Sequence, residues 1–153
     1  VDKNYLETLP TRNWLVMPIG QEFNKEIYME LAHKCLDKNV VFVSAVGKNC
    51  ELIHDIFDEI IIKKSKEKGI DKDPLNGFED FPLTTWNYNI VNGFWSAIYG
   101  AFSATNESSI KKIVCVDYTE KGIKGYLMSL IKEFKKGWLP PDNREYQEPS
   151  YDR

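Results

Sequence analysis

Val40-Val41-Phe42-Val43-Ser44-Ala45-Val46 is the run on which the fold turns. Apolar residues follow one another there without polar alternation, and a strand of that kind is covered on both faces, the condition of a parallel sheet. Outward from it, Trp14-Leu15-Val16-Met17, closed by Pro18 and Gly20, is a second buried run of the same kind. Ile113-Val114-Cys115-Val116, inside Lys112 to Tyr118 and ended by Asp117, is a third. Phe81 to Trp86 has extended character through Thr84, Thr85 and Trp86.

Between these runs the apolar period changes to that of a helix. Glu22 to Lys38 carries Phe23, Ile27, Leu31 and Cys35 on one stripe, with Tyr28 and Ala32 at its edge, and Asn39 stops it. Asn49 is a fitting N-cap for a helix from Cys50 to about Lys66, whose stripe is Ile53, Ile56, Phe57 and Ile60 flanked by Leu52 and Ile61. Asn89 to about Thr105 carries Val91, Phe94, Trp95, Ile98, Ala101 and Phe102. A last helix, Glu120 to about Lys136 with Thr119 as its cap, buries Ile123, Leu127, Leu130, Ile131 and Phe134.

Strands that alternate with amphipathic helices imply right-handed crossovers and a parallel sheet with helices on both faces. The class is therefore α/β, a small three-layer, doubly wound (flavodoxin- or Rossmann-like) parallel sheet of about four strands with four helices. The expected strand order is 2-1-3-4. One domain is expected over residues 1–139, with residues 63–80 as a long charged surface loop and residues 140–153, rich in proline and tyrosine, as a flexible tail.

A chain of 153 residues, 42% hydrophobic, can build a core without disulfide or metal staples, since folding at this length removes about 70% of the unfolded chain's surface. Its net charge of -3 argues against nucleic acid as a partner, because phosphate contact draws on clustered lysine and arginine. Locally the balance varies: Lys63 to Lys72 is basic, while Asp73 to Asp80 is acidic. No apolar run reaches the roughly 18 residues of a membrane span, so no membrane partner is expected. Cys35, Cys50 and Cys115 form no CxxC pair, which fits reduced thiols in a cytoplasm, although a start at Val1 leaves room for a removed leader.

In a parallel sheet, ligands sit beyond the carboxyl ends of the strands, where strand order reverses. Gly20-Gln21-Glu22, Gly47-Lys48-Asn49-Cys50, Thr85-Trp86-Asn87 and Asp117-Tyr118-Thr119 are the stretches that rule selects. With the order 2-1-3-4, the first and third line the crevice. One glycine and one lysine around Gly47 fall short of a phosphate loop, so Gly47 reads as a turn residue and no cofactor is expected. Cys50, in a first helical turn beside Lys48 and four residues before His54, is a candidate nucleophile. Small buried thiols more often pack, and packing is the better reading. Cys50, His54 and Asp58 would spread over about 12 Å of helix, too far for one ion, so no metal is expected. Asp117 is the other catalytic candidate, but a lone carboxylate names no reaction. Glu22 would be its partner only if the first and last strands were neighbours.

Leu83-Thr84-Thr85-Trp86-Asn87 is the most individual stretch. It resembles a family of small uncharacterised bacterial α/β domains in which a strand ends Thr-Thr-Trp-His, followed by acidic residues and an amphipathic helix. Here Asn87 stands in place of the histidine, and Tyr88 and Asn89 in place of the acidic residues. The resemblance implies a partner-binding, immunity-type protein, and the departure at Asn87, Tyr88 and Asn89 weakens any inference of acid/base chemistry there. From the residues themselves, Trp86 beside Tyr88 reads either as an interface anchor or stacking surface for a planar ligand, or as a cap on the core at the sheet edge. Thr85, Trp86, Asn87 and Tyr88, with Gly20, Gln21 and Lys48 from the other strand ends, are the expected binding residues, and Phe78 and Phe81 the anchors on the long loop. Another protein is the expected partner. The alternative is a small enzyme or small-ligand binder that uses the crevice.

Overall fold

A computed structural model describes residues 3–20, 22–69, 80–103, 109–120 and 122–142. After a 3-10 helix, Lys3–Thr8, the chain alternates β1 (Trp14–Gly20), α1 (Lys25–Asp37), β2 (Phe42–Gly47), α2 (Cys50–Glu67), β3 (Leu83–Asn87), α3 (Ile90–Tyr99), β4 (Lys112–Asp117) and α4 (Lys124–Lys135). All strands are parallel, as a doubly wound domain requires.

The strand order is 3-2-1-4, not the expected 2-1-3-4. The fully buried β1 takes a central place, while β3, whose Thr84, Thr85 and Trp86 are half-buried or exposed, takes an edge. The first two crossovers step the same way and put α1 and α2 on one face. The third returns past β1, so α3 and α4 cover the other. Alternation along each strand divides the core accordingly. Trp14, Val16, Val43, Ala45 and Val116 meet Tyr28, Leu31, Cys35, Ile53 and Phe57, whereas Leu15, Met17, Ile19, Phe42 and Val46 meet Phe94, Ala97, Ile123, Leu127 and Leu130.

Pro18 does not close β1, which runs on to Gly20. Even-numbered residues of β1 turn their backbone groups to β2, as the Trp14 carbonyl does in accepting from Val41 N–H. The N–H that Pro18 lacks therefore belongs to that ladder, whose register skips Met17 and Pro18, while pairing with β4 is continuous. At the carboxyl end, a Cβ on Gly47 would lie 2.5 Å from the Gly20 carbonyl oxygen. Gly93 lets α3 close on β2, since a Cβ there would collide with Val46 Cγ1.

Helix ends depart from expectation at the capping residues. α1 starts at Lys25 because the Asn24 side chain accepts from Ile27 N–H, and Asn39 stops it with φ 57°. α3 ends at Tyr99, before Gly100, short of the expected Thr105, which itself lies outside the described residues. Ile123, not Thr119, caps α4. The residues before β1 also carry structure, with Leu6 and Leu9 buried in the α1 and α2 side of the core. Glu67 ends α2 inside the span expected as loop, and residues 70–79 are outside the description.

Candidate functional site

Because β1 and β4 are neighbours, with Ile19 paired to Asp117, the order reverses between their carboxyl ends. The crevice is thus bounded by Gly20 and Asp117, not by Thr85 to Asn87, which stand two strands away. Gln21 lies outside the described residues. Tyr5, Tyr28 and Tyr118, to which the sequence assigns no individual role, fill the space. A Cβ on Gly20 would lie 2.7 Å from the Tyr28 hydroxyl, which donates to the Glu22 carbonyl at 3.2 Å. Tyr28 meets Tyr118 edge to face at 4.9 Å, and the hydroxyls of Tyr118 and Tyr5 are 2.7 Å apart. Burial pushes the Tyr28 phenol up to about 12 and raises Tyr118 and Tyr5 as well, so all remain protonated at neutral pH.

Asp117 is spent on its own loop. One oxygen accepts from Thr119 N–H at 2.8 Å and from the Thr119 hydroxyl, and the other from Ile123 N–H at 2.7 Å, at the head of α4. Glu22 is now close enough in topology to be its partner, but its side chain is exposed and Asp117 points into the turn toward α4.

Cys50 is buried at the start of α2. Burial raises its thiol to about 11, outweighing backbone N–H groups, that of Asn87 among them, which pull the other way. The lowering anticipated from Lys48 and the helix start therefore does not prevail. His54 turns elsewhere. Its Nδ1 is 3.3 Å from Asp55, and its Nε2 is 3.5 Å from Asp58 and 3.2 Å from the Thr84 hydroxyl. Thr84 in turn donates to Asp58 at 2.6 Å. This network binds β3 to α2, and no metal-holding group of three or more His, Cys, Asp or Glu occurs among the described residues.

The thiols make a direct prediction. A folded pKa above the ordinary 9.0 means that the fold favours the protonated form, so this contribution to stability is whole below pH 9 and is lost as pH rises through about 11 for Cys50 and Cys115. Urea midpoints are expected to hold constant from neutral pH to about 9 and then fall, with slow alkylation of all three native thiols at neutral pH. Fast alkylation of Cys50 in the folded protein would contradict its burial.

On β3 and just beyond it, hydrogen bonds account for every polar member of the Thr-Thr-Trp-Asn stretch. Thr85 donates to the Val43 carbonyl at 3.3 Å, and the Asn87 side chain accepts from Asn89 N–H at 2.9 Å. Asn89 then caps α3 by accepting from Asn92 N–H at 3.0 Å. Trp86 is left pointing outward, 44% exposed, edge to face with Tyr88 at 5.4 Å. Tyr88 is held by Glu51, whose carboxylate accepts its hydroxyl and raises it to about 12. Thr85, Trp86 and Asn87 also line a groove of about 450 Å³ between β3 and α3, with Gly93, Ala97 and the exposed Phe102 opposite. Gly20 and Lys48 stand apart from it, Gly20 buried and Lys48 exposed in the β2–α2 turn. Phe81 is buried under Lys68 rather than free as an anchor, and Phe78 is outside the described residues. Phe23, Ile27 and Leu52, expected in or beside core stripes, are 40%, 40% and 47% exposed.

A four-stranded, doubly wound parallel α/β domain with an aromatic groove on its β3 edge is the class these features define. The chain belongs to the family described as Domain of unknown function (DUF7684), whose model matches residues 2–134. No curated protein and no solved structure matches it. No helix among the described residues is long and apolar enough to cross a membrane.

Proposed function

We propose that this domain is a non-enzymatic protein-binding module, of the immunity or regulatory kind, that docks its partner on the β3–α3 groove. The observation that carries this reading is Trp86. Its neighbours on the strand are committed to internal hydrogen bonds, while the indole stands outward beside Tyr88 at the mouth of an apolar groove. Tryptophan and tyrosine dominate interface energetics because they bury large areas with few rotors to freeze. Among the described residues β3 is also an edge strand, the kind of strand an extended partner segment can join. The resemblance of Thr84-Thr85-Trp86 to the strand end of small bacterial domains supports a bacterial protein of this kind. The enzymatic alternative draws less support, since Cys50 is a protonated packing thiol and Asp117 a brace for α4.

The test is purification of the full chain from its native host with mass spectrometry of whatever protein and small molecule accompany it. Trp86→Ala is expected to weaken binding of a co-purified protein by about 2 kcal/mol, roughly 30-fold, with folding intact. Cys50→Ser and Asp117→Asn are expected to retain it. Unchanged affinity in Trp86→Ala would remove the anchor, and loss of a measured turnover in folded Cys50→Ser would replace the reading with the enzymatic one.

A further inference from the structure

We propose that β4 is the interface of a symmetric homodimer, in which β4 of a second copy runs antiparallel beside it about a two-fold axis at Val114. β4 is an edge strand among the described residues. Lys112 N–H donates to the Asn13 carbonyl and Tyr118 N–H to the Ile19 carbonyl, so even-numbered residues turn their backbone groups to β1. Ile113, Cys115 and Asp117 therefore turn theirs to the open edge. On the face covered by α3 and α4, Ile113 and Cys115 are only half-buried. They line, with Met128 and Ile131 of α4, an apolar cavity of about 500 Å³, and Met128 is 51% exposed. An unpaired edge beside an uncovered apolar wall is a surface that a second strand completes.

Charge selects the occupant. The strand has Lys111 and Lys112 at its start and Asp117 at its end. A second copy running parallel would set lysine beside lysine, whereas an antiparallel copy sets each lysine pair beside the other copy's aspartate. Residues directly opposite must also share a face. Any axis centred on a residue meets that condition, and the axis at Val114 also matches the chemistry, since it sets Ile113 across from Cys115 and Lys111 across from Asp117. Pairing about Cys115 instead sets Ile113 against Asp117. The β3 edge has no such self-complementarity, because Leu83 to Asn87 carries no charge.

Sedimentation equilibrium of the full chain is expected to show a monomer–dimer equilibrium. Reversal of the exposed lysines in Lys111→Glu with Lys112→Glu should weaken it by roughly tenfold or more without unfolding the protein, because like charges then face each other across the strands. Val114 on the two-fold is a non-hydrogen-bonded pair with Cα atoms about 4.5 Å apart, within disulfide reach. Oxidised Val114→Cys should therefore give a covalent dimer linked through position 114, and Val116→Cys should not. Trp86→Ala should leave the dimer intact. A wild-type chain that stays monomeric at its highest soluble concentration overturns the proposal. So does a dimer unmoved by charge reversal, a crosslink at 115 or 116 in place of 114, or a dimer abolished by Trp86→Ala.

Discussion

Gly47→Ala is expected to remove about 4 kcal/mol of stability, the sum of a left-handed backbone forced on a side chain and a collision between strands. Gly47 has φ 98°, where an L residue is strained, and its Cβ would stand 2.5 Å from the Gly20 carbonyl oxygen. That obstacle is backbone of the neighbouring strand and cannot rotate aside. Relief requires β1 and β2 to part at their carboxyl ends, where Gly20 and Gly47 are paired in register. For a domain of this size the loss corresponds to a fall of about 10 °C in Tm. Gly137→Ala separates the two contributions, because Gly137 has φ 86° and nothing within 4 Å of its Cβ position. It should lose only the conformational part, about 1 to 2 kcal/mol. Equal losses in the two variants, measured by urea unfolding, would show that the strand collision contributes nothing.

The same pair of glycines shows why the architecture was legible from the sequence and the strand order was not. Apolar runs without polar alternation at Val40 to Val46 and around Trp14 mark strands buried on both faces, and the helical period of Ile53, Ile56, Phe57 and Ile60 marks what covers one of them. Those signals are local. Order depends on which strand tolerates an open edge, and the decisive property of β3 is that Thr84 finds Asp58 and His54 on α2 while Trp86 stays outside. Neither contact has a sequence signature, because the partners lie 26 and 30 residues away. Periodicity also misplaced the first helical turns. Phe23, Ile27 and Leu52 fall in or beside the apolar stripes, yet all three are exposed, Phe23 lying ahead of α1 altogether. For the candidate site, residue type and position named Thr85, Trp86 and Asn87, which the structure brings together on one groove with Gly93 and Phe102. Tyr28 and Tyr118 drew no role of their own from the sequence, because a tyrosine at the edge of a helix stripe or just past a strand end looks like any other until the strand order sets the two edge to face.

Asp117→Ala is expected to lower stability by about 3 kcal/mol, because one carboxylate satisfies the Thr119 N–H and hydroxyl and the Ile123 N–H, and hydrogen bonds to a charged acceptor are each worth more than neutral ones. The turn it closes contains Gly122 at φ 70° and leads directly into α4, whose head then faces a negative charge. Without the carboxylate, Ile123 N–H loses its partner in a place that water reaches poorly, since Ile123 is 1% exposed. Asp117→Asn keeps the shape and one carbonyl oxygen but presents an amide donor to the other group, so its loss should be intermediate. Hydrogen exchange would locate the damage, with protection falling first at Ile123 and in the opening turn of α4 while β1 and β2 stay protected. A carboxylate kept for chemistry behaves in the opposite way, since its removal relieves rather than creates unsatisfied groups. Unchanged or raised stability in Asp117→Ala would therefore restore Asp117 as a catalytic candidate at the β1–β4 crevice, and a loss that follows the order Ala, then Asn, then wild type would confine it to bracing the loop that positions α4.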